Sequence, residues 1–111
     1  MDRLTPVIFT DAWGSNVSIA SLQGRDIPSP EPESELWMGA HEEGPAGTDR
    51  DGAPDLAAVV AADPVGELGA ECVARFGPRL PFLLKVLAPG RAISIQAHPS
   101  AEQATTVRAT T

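Results

Sequence analysis

A mainly β chain with short helices is what the sequence predicts, on three observations. Apolar, β-branched or alternating runs of strand length recur at 7–9, 35–40, 82–87 and 92–98. Ten Gly and eleven Pro among 111 residues cut the chain into short pieces. Hydrophobic residues make up 42%, enough for a core, but aromatics only 5%, so that core must come from Leu, Val, Ile and Ala. A chain of this length makes one domain at most.

In order, Val7-Ile8-Phe9 is the first strand. Ser15 and Asn16 are placed to cap a helical turn over 17–22, which Gly24 ends. Segment 27–34 has proline at 28, 30 and 32 and is expected to be an extended connector. The run 35–41 follows as a strand whose alternation puts Glu35, Trp37, Gly39 and His41 on one face. A Gly-rich polar loop is expected over 42–54, then a helix over 55–62. Asp63-Pro64 has the form of an N-cap with proline at the first helical position, opening a second helix to about Phe76, with Gly77-Pro78 as its stop. Cys72 lies inside that helix and is expected to be a small core or boundary residue. Residues 82–87 form an apolar run that should be buried, joined through Ala88-Pro89-Gly90-Arg91 to the alternating run 92–98 as a hairpin. Ser100-Ala101-Glu102-Gln103 has capping-box spacing and should open a third helix.

Eight Lys and Arg against fifteen Asp and Glu give a net charge of −7. Such a chain has no electrostatic reason to bind nucleic acid or an anionic membrane, and neither partner is expected. The charge is uneven: from Cys72 onward stand Arg75, Arg79, Lys85, Arg91 and Arg108 against Glu102 alone, so the C-terminal part is suited to an anion. A single cysteine excludes a disulfide framework. The start lacks the basic and apolar regions of a signal peptide, and no apolar run approaches the ~20 residues of a membrane span. A cytoplasmic location is expected.

Three places are candidates for chemistry. On the strand 92–98, Ser94, Gln96 and His98 share one face. That face is either an ordinary half-solvated surface or a place where an imidazole and an oxygen donor take two positions on one metal ion. Lys85 is the one charge in 82–87; it either snorkels out at a strand edge or points into a polar cavity. Glu35 beside Trp37 is either part of an exposed edge strand or an acid–base group with a raised pKa. Phosphate-loop, nucleophile-elbow, paired-cysteine and HExxH patterns are missing from the sequence.

Four blocks then point to a family. Ala12-Trp13-Gly14-Ser15, Glu35-Leu36-Trp37-Met38-Gly39-Ala40-His41, Leu80-Pro81-Phe82-Leu83-Leu84-Lys85-Val86-Leu87 and Ile93-Ser94-Ile95-Gln96-Ala97-His98-Pro99-Ser100 resemble, in order and approximate spacing, the N-terminal part of type I mannose-6-phosphate isomerases. The resemblance implies a cupin-type, jelly-roll-like β-sandwich with an added helical region. It also implies a zinc-dependent aldose–ketose isomerase that interconverts mannose 6-phosphate and fructose 6-phosphate through a cis-enediol and serves the route to GDP-mannose. The family's SIQxHP motif supplies two zinc ligands, which fall on Gln96 and His98. Ser94 and Lys85 match positions associated with the substrate pocket and its phosphate, and Trp13 and Glu35 match positions that line the site. The catalytic acid–base group is not identified.

Two departures accompany the match. Asp11 stands where the family usually has Tyr, two residues before the Trp-Gly pair. The family's remaining zinc ligands, a Glu and a His, lie downstream of SIQxHP, and this chain ends thirteen residues after His98. His41 is a weak substitute for a missing ligand. About four strands also fall short of the roughly seven that a sandwich needs. Residues 1–111 are therefore expected to form an incomplete, truncated N-terminal portion of the catalytic domain, with unpaired strands prone to self-association. The competing expectation is a fragment, or a small module binding sugar phosphate or a partner, without turnover.

Overall fold

Extended backbone favoured by the β-branched and aromatic side chains at 7–9 continues further than the sequence predicts. The computed structural model describes residues 1–92 and 100–102. Strand β1 (Leu4–Thr5) is followed by β2 (Val7–Ser15), helix α1 (Ser18–Leu22), β3 (Glu33–Met38), β4 (Gly47–Thr48), helices α2 (Leu56–Ala62), α3 (Pro64–Leu68) and α4 (Ala70–Phe76), and β5 (Leu84–Leu87). The fold is thus mixed, mostly strands and short helices. β2, β3 and β5 form an antiparallel sheet in the order β2-β3-β5, and β1 pairs with β4. Among the described residues these two sheets do not compose a cupin-type sandwich. The predicted hairpin strand 92–98 lies outside the described residues apart from Ala92; Ala101 and Glu102 are helical, as the capping box predicts.

Local signals set most helix ends. The Ser15 hydroxyl accepts from the amides of Val17 and Ser18, each at 3.1 Å, and Gly24 closes α1 at φ +71°. The Asp55 carboxylate accepts from the Ala58 amide at 2.8 Å and Asp63 from Gly66 at 3.1 Å, each satisfying a donor that a helix N-terminus leaves over. One helix from 63 to 76 is not found. It breaks at Gly69, which takes φ +90° and gives its amide to the Val65 carbonyl at 2.8 Å, ending α3 before α4 begins. The connector is shorter than predicted, because Glu33 and Ser34 already belong to β3.

Pairing decides the two faces of the main sheet. Leu36 lies opposite Ile8 and Val86, and these join Ile19 of α1 and Ala88 in the core. Trp37, opposite Val7 and Lys85, and Glu35, opposite Phe9 and Leu87, face the other way. The run 82–87 is not buried as expected: Phe82 is 65% exposed, Leu84 62% and Leu87 53%. The reason is that α1 covers β3 on one face, and β5 stands beyond it.

Candidate functional site

The sheet face away from α1 collects aromatic and charged groups that are far apart in sequence. Strand alternation brings Glu35 and Trp37 to that face, and antiparallel register brings Lys85 directly opposite Trp37. Lys85 Nζ lies 3.8 Å from Glu35 Oε1 and 5.6 Å from the Trp37 ring centroid. The lysine side chain is 52% exposed and the glutamate 21%, so an ammonium reachable from solvent sits against a more sheltered carboxylate. The lysine is therefore half-exposed rather than enclosed.

Trp37 is at the centre of this group. The Phe9 ring is tilted against it at 4.5 Å, and His41 meets it edge-on at 5.2 Å. β3 ends at Met38, so His41 is held beside Trp37 by this ring contact and not by strand geometry. Its Nδ1 accepts from the Glu43 amide at 3.1 Å. The indole Nε1 of Trp37 is buried and has no hydrogen-bond partner among the described residues.

Trp13 stands further along β2. β2 carries register shifts after Phe9 and after Thr10, and Trp13 lies beyond the first of them. Its carbonyl accepts from the Gly90 amide at 2.7 Å, while the Ser15 amide donates to the Ala88 carbonyl at 3.0 Å. Between them, Gly14 leaves no room for a side chain: a Cβ there would meet the Glu33 carbonyl carbon at 2.6 Å and the Ser34 amide nitrogen at 2.7 Å. The Trp-Gly pair therefore ties β2 to the turn from which the chain enters 93–99. Asp11, in the place of the expected Tyr, is accommodated by Ser34, whose buried hydroxyl lies 2.5 Å from Asp11 Oδ2 and 3.0 Å from the Phe9 carbonyl.

Ser94, Gln96 and His98 lie outside the described residues. Among the described residues no group of three or more His, Cys, Asp or Glu could hold a metal ion. These residues alone do not fit a zinc centre. No helix among them is long and apolar enough to cross a membrane.

The catalytic-domain description of type I phosphomannose isomerase matches residues 1–111. The chain belongs to the type I phosphomannose isomerase family. Mannose-6-phosphate isomerase of Escherichia coli K12 is 38% identical over 103 residues, covering 90% of this chain and 26% of that protein. Mannose-6-phosphate isomerase 2 of Arabidopsis thaliana is also 38% identical, over 114 residues, with the same shares of 90% and 26%. Among solved structures, a point mutant of phosphomannose isomerase from Salmonella typhimurium matches with a TM-score of 0.85 and 32% identity, over 100% of this chain and 28% of its own. A mannose 6-phosphate isomerase bound with zinc and yttrium matches with a TM-score of 0.85 and 33% identity, over 99% of this chain and 28% of its own. The chain thus spans about a quarter of the length of these phosphomannose isomerases.

Within this phosphomannose isomerase segment, the structure joins two of the sequence candidates, Glu35 and Lys85, and adds Phe9 and Trp37 as their platform. Alternation had put Trp37 on the Glu35 face. Its pairing with Lys85 is a matter of register, which no local signal in either strand carries.

Proposed function

We propose that this chain serves zinc-dependent aldose–ketose isomerisation, interconverting mannose 6-phosphate and fructose 6-phosphate in the cytoplasm for GDP-mannose supply. The match of the whole chain to the family's catalytic domain carries this reading. Residues 1–111 act as the N-terminal portion of that catalytic domain, whose cupin-type sandwich needs further strands. Lys85 binds the substrate phosphate as a point charge, and Glu35, Trp13 and Ser94 line the sugar site. Gln96 and His98 would hold zinc together with further ligands, in keeping with the zinc-bound relative. Zinc, when bound, supplies a Lewis acid for the sugar oxygens. Lys85 is suited to its part by exposure: its ammonium faces solvent, while Glu35 partly balances its charge from the sheltered side.

A second reading, sugar-phosphate binding without turnover, is favoured by one observation. The Lys85–Glu35–Trp37 group, a solvent-facing cation beside a ring, is assembled within the described residues.

One assay separates the two. The purified chain is supplied with zinc and followed for conversion of mannose 6-phosphate to fructose 6-phosphate, with Gln96→Ala/His98→Ala as control. Zinc-dependent turnover lost in the control supports the isomerase and requires that association of chains supply the remaining ligands. Saturable binding without turnover selects the second reading, and absence of both overturns the two together.

A further inference from the structure

We propose that Trp37 is a positioning residue for Lys85: its indole face holds the ammonium where a sugar phosphate approaches the lysine from solvent. This rests on the reading of Lys85 as the phosphate partner.

The geometry supplies the first reason. Trp37 and Lys85 are direct cross-strand partners, and Nζ stands 5.6 Å from the ring centroid, within the ~6 Å reach of a cation–π contact. Glu35 Oε1, at 3.8 Å, attracts the same ammonium from beyond hydrogen-bond distance. Neither contact uses an ammonium hydrogen, so both orient the group while leaving its donors to an anion. Without the ring, Lys85 would keep the attraction of Glu35 alone, which competes with a phosphate for the same charge.

The ring's own circumstances supply the second. Phe9 at 4.5 Å and His41 at 5.2 Å fix its plane. Its Nε1 is buried without a partner among the described residues. Tryptophan offers the strongest cation platform among the aromatic side chains.

Lys85 is the only lysine in the chain, so 13C-lysine labelling gives one set of side-chain NMR signals. In the parent protein its ε-methylene protons are expected upfield of a free lysine, shifted by the indole ring current. The shift should shrink in Trp37→Phe and vanish in Trp37→Leu. Mannose 6-phosphate affinity, read by phosphorus NMR, should fall in the order Trp, Phe, Leu, by about three- to ten-fold overall. A purely structural Trp37 predicts otherwise: Trp37→Phe would lower stability through the lost ring packing but leave the affinity of the folded protein unchanged. Lys85→Gln separates the two levels. If it, too, binds mannose 6-phosphate like the parent, or if the parent does not bind, the Lys85 reading fails. If Lys85→Gln weakens binding but Trp37→Phe and Trp37→Leu do not, the positioning role alone is overturned. Should Trp37→Leu fail to fold, the parent's ε-methylene shift and the Trp37→Phe affinity decide: an unshifted signal or an unchanged affinity overturns the proposal.

Discussion

At the scale of single residues, Arg50 joins parts of the chain that are remote in sequence. Its guanidinium donates to Asp2 through Nε at 3.2 Å and again through Nη2, and to Glu67 through Nη1 at 2.6 Å. The hydrogen bond from Arg50 holds the Asp2 carboxyl below its ordinary range, and the two carboxylates push the guanidinium pKa higher still. A carboxyl with a lower pKa folded than unfolded binds fewer protons in the native state. Its contribution is present above the ordinary carboxylate pKa of about 4 and is lost as pH falls through the lowered value. Arg50→Gln should therefore lower the melting temperature at pH 7, and the gap from the parent should close below about pH 4. An equal gap at pH 7 and in acid would refute this. Arg50 itself stays charged throughout, so nothing comparable is expected on the alkaline side.

At the scale of elements, the break between α3 and α4 has one cause. Gly69 has φ +90° and ψ 149°, a region essentially closed to residues with a Cβ. A Cβ there would meet nothing within 4 Å, so the restriction is conformational and not steric crowding by neighbours. Gly69→Ala should cost about 1–3 kcal/mol in urea unfolding. A gain in stability with stronger helical circular dichroism would instead mean that 64–76 joins into the single helix that the pattern predicts. The neighbouring boundaries were legible, since Asp55, Asp63-Pro64 and Gly77 all act within a turn of their own position. The break was not: a glycine inside a helical pattern is compatible with either continuation or arrest.

At the scale of the whole molecule, the described residues form a slab of 46 × 43 × 18 Å, with a radius of gyration of 17.0 Å. A compact domain of this length would have about 13 Å. So thin a body leaves large apolar side chains uncovered, and Phe82, Leu84 and Leu87 along the β5 segment are each more than half exposed. Self-association through this segment follows as a prediction. Sedimentation equilibrium should give a mass above 11.6 kDa that rises with concentration, and Phe82→Ser/Leu84→Ser should bring it down. A mass fixed at 11.6 kDa over the whole range would exclude it.

The sequence by itself determined the short elements, most helix starts and stops, the shared face of Glu35 and Trp37, and the family. Each of these depends on residue order within one element, or on blocks recognisable without their contacts. Tertiary structure alone decided that Lys85 stands opposite Trp37, that β5 is largely exposed, and that Gly14 must lack a side chain. It also decided that Asp2, Arg50 and Glu67 meet. Ser94, Gln96 and His98, legible as a motif, lie outside the described residues. The division has a physical origin. Caps and alternation are settled by bonds and torsions within a few residues. Register and burial depend on which distant strand supplies the partner, and shifting that partner by one residue would turn Lys85 to the opposite face.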